Sequence, residues 1–165
     1  MPQEMRHQEA IKVAVEREKE LMCFYQKAAE MVTDGEGRQV FARLAKEKEE
    51  HVGFFFRHYR GKEFGSLAEF VNAPCQSVKQ IVKELEKVVD TRTKERRARE
   101  IAMEKEQQLE KILNSTANQI IDPGVRTIFE QMAKVTHNHY QIIESEYARE
   151  MGMPHETDID TYVRE

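Results

Sequence analysis

The sequence predicts an all-α protein, a four-helix bundle made of two repeated antiparallel hairpins that are joined by a crossover containing a short helix. The first observation behind this prediction is an internal repeat, since residues 10–59 align with residues 98–147 without a gap. The second is that apolar residues recur at steps of three and four within both copies, which is the spacing of a helix face. A repeat of this length has to be weighed first because it decides the fold. Identical pairs in the alignment include Glu18 and Glu106, Phe41 and Phe129, and His51 and His139.

Composition excludes several classes of protein. The chain has 165 residues, 34% of them charged, with only seven Gly and four Pro, which favours one domain of long helices. The net charge of −4 comes from interspersed charges of both signs, so we expect neither a nucleic acid nor a membrane as partner. No apolar run approaches the ~20 residues of a membrane span. The first residues lack the basic and apolar segments of a signal peptide, which predicts a cytoplasmic protein.

Four long helices follow from the apolar stripes and their end signals. The first is expected over about residues 3–32, with a stripe that includes Leu21 and Tyr25. The second starts after Asp34 and is ended by Gly61. The third shows its stripe over 98–120, and the fourth opens with Asp122 and a proline and ends near Gly152. We therefore expect a bundle over 1–151 and a polar tail over 152–165.

The segment between the two hairpins has a different pattern. Residues 61–74 contain two glycines, an asparagine and a proline that interrupt regular structure. Residues 78–89 then read as a short amphipathic helix. A long connection of this kind lets two hairpins pack side by side as in a single-crossover bundle. The amphipathic face of residues 76–89 is expected to cover either the bundle or a partner.

Several polar residues occupy core positions on the inward stripes near the middle of each helix. They are Glu18, Glu106, His51, His139, Lys48 and Thr136. An unpaired ion in the core costs several kcal/mol, so these groups must serve one another or a bound ion. A carboxylate and an imidazole from each half are reasonable ligands for iron, manganese or zinc. The alternative is a buried ion-pair network of two Glu, one Lys and a protonated His. Tyr25, seven residues after Glu18 on the same face, is expected to bring its hydroxyl near this site.

The two cysteines give no sign of a shared role. Cys23 and Cys75 lie in dissimilar contexts and form no CxxC pair. They are expected to be reduced thiols in a cytosolic protein, with Cys23 serving only in packing.

Motifs in both hairpins resemble one known family. Residues 18–25 (EKELMCFY) place a Glu seven before a Tyr, residues 41–47 (FARLAKE) lead to His51, and Glu106 and His139 repeat the pattern. The sequence thus resembles the rubrerythrin-like branch of the ferritin-like superfamily over about residues 8–148. The resemblance implies a ferritin-like bundle, an iron centre with Glu18 and Glu106 as terminal ligands, redox chemistry with peroxide or dioxygen, and a homodimer. The rubredoxin-like Cys₄ module of full rubrerythrins is missing.

The sequence departs from the family at both bridging ligands. The family carries Glu-x-x-His on helices 2 and 4, and the Glu of each motif bridges two metal ions. Here Lys48 stands three residues before His51, and Thr136 stands three before His139. Two divalent ions need four carboxylates for neutrality, and Glu47 has no counterpart in the second hairpin because Val135 replaces it. The dinuclear site is therefore in conflict with the charge balance of the core.

Two functional hypotheses follow from this departure. One is a metal-binding redox protein that holds a single divalent ion, iron or else zinc or manganese, through Glu18, His51, Glu106 and His139. The other is a bundle without metal that acts as a binding or structural module. Both predict that the four side chains meet in the core. We also expect Lys48 within ion-pairing reach of Glu18 or Glu106.

Overall fold

The computed structural model describes residues 3–152, and these form helices without strands. The predicted tail lies outside the described residues except for Gly152. Six helices follow one another along the described chain, and we number them in order: α1 Gln3–Met31, α2 Gly35–His58, α3 Leu67–Asn72, α4 Gln76–Glu86, α5 Thr91–Gln119 and α6 Pro123–Glu150.

The four long helices pack in two pairs. Helix α1 packs along α2, and α5 packs along α6, with the short loops 32–34 and 120–122 between the partners. Asp34 is the N-cap of α2, as predicted, because its carboxylate accepts a hydrogen bond from the Gly37 backbone N–H at 3.0 Å. Asp122 caps α6 in the same way through Gly124 at 2.8 Å, and Pro123 occupies the first turn.

The helix boundaries differ from the prediction around the connecting segment. Residues 67–72 form α3, which was not predicted, with Ser66 as its N-cap. Helix α4 covers 76–86 rather than 78–89, and α2 ends at His58, before Gly61. Helix α5 begins at Thr91, well before the first predicted apolar position. Its cap is Asp90, whose carboxylate accepts from the Thr93 N–H at 3.1 Å. A capping signal without apolar periodicity behind it was too weak to recognise in the sequence.

One core unites the long helices. Apolar side chains from all four are fully buried, and the rings of Phe55 on α2 and Phe129 on α6 lie 5.7 Å apart. The ring centroids of Tyr25 on α1 and Phe41 on α2 lie 5.9 Å apart. The short α4 adds three buried residues to the core region: Val78, Val82 and Leu85. The amphipathic face of α4 therefore covers the bundle.

The prediction of two reduced thiols is wrong for this structure. Cys23 in α1 and Cys75, directly before α4, are joined by a disulfide, with their Cα atoms 6.0 Å apart. The two residues are 52 positions apart in sequence, and only the return of the connecting segment to α1 brings them together. Their spacing carried no local signal, so sequence alone could not pair them.

No helix in residues 3–152 is long and apolar enough to cross a membrane.

Candidate functional site in the bundle core

Lys48 lies at the centre of the polar cluster that the sequence predicted. Its ammonium nitrogen is 3.2 Å from the Glu18 carboxylate and 3.2 Å from the Glu106 carboxylate. All three side chains are completely buried. Helices α1, α2 and α5 each supply one of these groups, since all three positions fall on inward faces. The prediction that Lys48 pairs with Glu18 or Glu106 is therefore confirmed, and it pairs with both.

Glu106 is the better hydrogen-bonded of the two buried carboxylates. It accepts a hydrogen bond from Lys48, and its other oxygen accepts one from the Tyr25 hydroxyl at 2.5 Å. Glu18 lies at ion-pair distance from Lys48 and, at 3.4 Å, from His51 Nδ1, but neither of its oxygens meets hydrogen-bond geometry with a described residue. The predicted position of the Tyr25 hydroxyl beside the site is thus confirmed.

Burial and pairing act in opposite directions on the charges of this cluster. Burial raises the pKa of Glu18, but the nearby Lys48 and His51 outweigh it and hold this pKa below its ordinary value. Burial lowers the pKa of Lys48, yet Glu18 and Glu106 outweigh it and raise this pKa above the usual lysine value. Burial, with Glu106 beside the ring, also raises the pKa of Tyr25. The cluster is therefore an ammonium held between two carboxylates, with a neutral phenol as a donor.

The two predicted histidines meet at one edge of the cluster. The rings of His51 and His139 stack with centroids 5.4 Å apart and an interplanar angle of 10°. His139 Nδ1 lies 3.7 Å from Glu106, and its Nε2 lies 2.7 Å from the carboxylate of Glu47. Glu47 is 39% exposed, so it closes the cluster towards solvent. The sequence offered Glu47 as a candidate extra ligand four residues before His51, but one without a symmetric counterpart, because its repeat partner is Val135.

Thr136 is buried as predicted, but its hydroxyl turns away from the charges. It donates to the backbone carbonyl of Met132 at 2.7 Å, one turn earlier in its own helix. The structure therefore brings together Glu18, Lys48, Glu106, His51 and His139, with Tyr25 as a donor. Thr136 occupies space beside them without a bond to them.

A second buried charge cluster was missed by the sequence reasoning. Arg99 of α5 is completely buried, 3.5 Å from Glu146 and 3.8 Å from Glu150, with its guanidinium 5.7 Å from the centre of the Phe41 ring. Arg99 lies in a predicted helix, but it aligns with Ile11 in the repeat, and that mismatch was the signal available. This cluster ties the ends of α5 and α6 together.

The fold and site together define a helical bundle with carboxylate and imidazole groups in its core. The family model described as Rubrerythrin matches residues 9–147. The match covers most of the chain, so the protein belongs to the rubrerythrin family. Searches of curated proteins and of solved structures gave no significant match.

The core residues do not fit the dinuclear centre that the family resemblance implies. The Lys48 ammonium stands between the two carboxylates that would be terminal ligands, at 3.2 Å from each. Both Glu of the two Glu-x-x-His motifs are replaced. In the part of the chain that the structure describes, no three His, Cys, Asp or Glu side chains are arranged to hold one metal ion. The donor set lacks the charge and the ligands that two divalent ions require.

Proposed function

We propose that this protein is a rubrerythrin-family bundle that has replaced its dinuclear metal centre by an internal ion-pair network and acts as a metal-independent binding or structural module. The observation that carries the proposal is the position of Lys48, fully buried and 3.2 Å from both Glu18 and Glu106. The ammonium supplies positive charge between the carboxylates, which is the role that metal ions have in the rubrerythrin family.

Charge balance supports this proposal. Glu18 and Glu106 bring two negative charges and Lys48 brings one positive charge, which leaves one net negative charge in the core. The His51 ring lies beside this charge, with Nδ1 3.4 Å from the Glu18 carboxylate. Two divalent ions would instead leave a large positive excess in a site of low dielectric constant, which buried groups do not tolerate.

Elemental analysis of the protein purified from cells tests the proposal. We expect well under one iron, manganese or zinc ion per chain, and little peroxide turnover. Replacing Lys48→Glu and Thr136→Glu together restores both Glu-x-x-His motifs, and we expect this double variant to take up more iron. Either substitution alone leaves the site one carboxylate short and should restore less.

A matched control separates site restoration from a general increase in negative charge. Lys46→Glu with Lys134→Glu adds two exposed carboxylates on the same two helices, two residues away from each core position. We expect no iron uptake in this control. The proposal fails if the unmodified protein binds close to two irons per chain and turns over peroxide. Glu47 would then be the first candidate for a missing ligand.

The second candidate function is a metal-binding redox protein that holds a single divalent ion, with iron first and zinc or manganese as alternatives. It is favoured by unsatisfied buried atoms, since Glu18 and the Nδ1 atoms of His51 and His139 lack hydrogen-bond partners among the described residues. Glu106 completes the proposed ligand set. One tightly bound ion per chain in native protein, removed by chelation, would favour this candidate over the metal-independent module.

Five broader features remain proposals. We retain the repeated-hairpin origin with a crossover, the bundle and tail boundaries at 1–151 and 152–165, and the homodimer that family resemblance implies. Sedimentation analysis checks the dimer, and limited proteolysis checks the boundary. A cytoplasmic location, with a small oxidant such as peroxide as the encountered molecule, is testable by cell fractionation and by peroxide challenge of a deletion strain.

A further inference from the structure

The disulfide between Cys23 and Cys75 belongs to neither the Lys48 network nor the Arg99 cluster. It joins the middle of α1 to the residue that precedes α4. A domain of this size with a continuous apolar core does not depend on a disulfide to fold, unlike small secreted domains. Its two sulfur atoms also differ in their surroundings, which is typical of a pair with divided chemical roles.

The first difference is access. Cys23 is almost completely buried in the core, whereas Cys75 is half-buried. Both line a cleft of about 470 Å³, with Phe64, Phe70 and Pro74 among its walls. A cleft of this volume lies within the range of sites that bind small molecules. Cys75 is therefore the more accessible residue of the pair for a thiol that enters the cleft.

The second difference is electrostatic. Cys75 is the N-cap residue of α4, an eleven-residue helix, and its side chain accepts no capping hydrogen bond in the disulfide. Backbone N–H groups without partners give this end of a helix a positive partial charge, which stabilises an adjacent thiolate. Cys23, in the interior of α1, has no such support. Cys75 is therefore the better nucleophile and the better final leaving group.

The surroundings hold the connecting segment in place when the disulfide is open. The Lys19 ammonium donates to the carbonyls of Phe70 and Ala73, two residues before Cys75, the latter at 3.1 Å. Val78, Val82 and Leu85 keep α4 buried against the bundle. Opening the disulfide therefore does not require unfolding, and the two sulfur atoms stay close enough to pair again.

We propose that Cys23–Cys75 is a thiol–disulfide exchange site, with Cys75 as the sulfur that reacts with an external thiol or disulfide and Cys23 as the resolving thiol. The proposal is independent of the metal-free core. The external reactant is a thiol of low molecular weight, with a peptide thiol such as glutathione as the probe.

The reaction balances in two steps. A thiolate attacks Cys75 Sγ, the protein disulfide breaks, and Cys23 leaves and takes a proton. A second thiolate attacks the external sulfur of the mixed disulfide and releases Cys75 as a thiolate at the start of α4. Two external thiols are oxidised to one disulfide, and the protein disulfide is reduced to two thiols. The reverse sequence begins with attack by the Cys75 thiolate on an external disulfide.

The test uses the whole chain in glutathione buffers of graded redox ratio. After acid quenching, free thiols are alkylated and assigned to Cys23 or Cys75 by peptide mass spectrometry, while circular dichroism follows the fold. We expect full interconversion of disulfide and dithiol in the folded protein. In the reduced protein, Cys75 should be alkylated at least about tenfold faster than Cys23.

Two variants then separate the roles. In Cys23→Ala, oxidised glutathione should form a stable mixed disulfide at Cys75. In the reduced Cys23→Ala variant, the alkylation rate of the Cys75 thiol should rise at a pH about one unit lower in the folded protein than in urea. The reason is that only the folded protein places Cys75 at the start of a helix. In Cys75→Ser, Cys23 should react slowly. A disulfide that glutathione reduces only with loss of the helical signal, or a Cys23 that reacts as fast as Cys75, overturns the proposal. The peptide assignment in unsubstituted protein decides the question even if a variant does not fold.

Discussion

At the scale of single residues, Lys48 is the most consequential side chain in the molecule. It is the only cation within 3.2 Å of both core carboxylates among the described residues. A buried ion pair adds little net stability compared with apolar residues, but the loss of one partner leaves an uncompensated charge. The network should therefore be most sensitive to removal of the ammonium.

Replacing Lys48→Met should reduce the free energy of unfolding by about 3–5 kcal/mol at pH 7. The loss should be smaller near pH 4. Because the pKa of Glu18 is lower in the folded protein than in the unfolded chain, ionised Glu18 stabilises the fold at pH values above its unfolded pKa. This stabilisation is lost as the pH falls through the folded pKa. Without Lys48, burial dominates and raises this pKa, so the variant loses stability as pH rises. Urea unfolding at pH 4 and pH 7 measures the difference.

The control for this prediction is Lys46→Met, two residues earlier on the exposed side of α2. It should change stability by no more than about 0.5 kcal/mol at either pH. An equal loss for Lys48→Met at both pH values would contradict the linkage between Lys48 and the carboxylates.

Tyr25 supplies the second donor to Glu106, and its removal should also destabilise the core. Tyr25→Phe leaves one oxygen of a buried carboxylate without its 2.5 Å hydrogen bond. A bond to a charged group contributes about 1.5–3 kcal/mol, and we expect a loss of that size in urea unfolding at pH 7. Tyr140→Phe, which removes a 2.9 Å bond to Glu144 between two half-buried side chains of α6, should cost less than about 1 kcal/mol. Equal losses in the two variants would refute a special role for Tyr25.

At the scale of elements, the start of α2 is tightly packed against α5. A Cβ atom at Gly37 would lie 2.6 Å from the guanidinium of Arg99 and 2.9 Å from the Val32 side chain. Arg99 is completely buried and held by Glu146, so it has little room to move. Glycine is required here by a close approach rather than by its backbone angles.

Gly37→Ala should therefore destabilise the protein by about 1–3 kcal/mol through overpacking. Gly35→Ala, two residues earlier, is the matched control because nothing lies within 4 Å of its Cβ position. We expect the control to stay within about 0.5 kcal/mol of the original protein. Thermal unfolding of both variants measures this, and a neutral Gly37→Ala would mean that Arg99 can give way.

At the scale of the whole molecule, stability should be independent of divalent metal. A ligand at a hundred times its dissociation constant stabilises the native state by about 2.7 kcal/mol. For a chain of this length that corresponds to a rise in Tm of roughly 5–11 °C. We expect Tm to change by less than about 1 °C with excess ferrous ion under anaerobic conditions or with a chelator. The double variant Lys48→Glu with Thr136→Glu is the positive control. A large shift in the original protein would instead favour the single-ion site.

Much of the fold and of the core site was predictable because both depend on short-range periodicity. Helical spacing placed Glu18, Lys48 and Glu106 on inward faces, and an internal repeat indicated that the hairpins meet in one core. Charge balance then required that these groups pair, which the structure confirms for Lys48. Capping residues such as Asp34 and Asp122 set two helix starts correctly because a cap is a local hydrogen bond.

The sequence by itself thus determined the four long helices and the identity of the central charges. Only the tertiary structure decided which distant groups meet: Cys75 with Cys23, Glu47 with His139, and Arg99 with Glu146. Each of these contacts depends on the path of a connecting segment or on the direction in which a long side chain leaves its helix. Neither leaves a periodic trace in the sequence, because such contacts join residues whose separation along the chain bears no fixed relation to their distance in space.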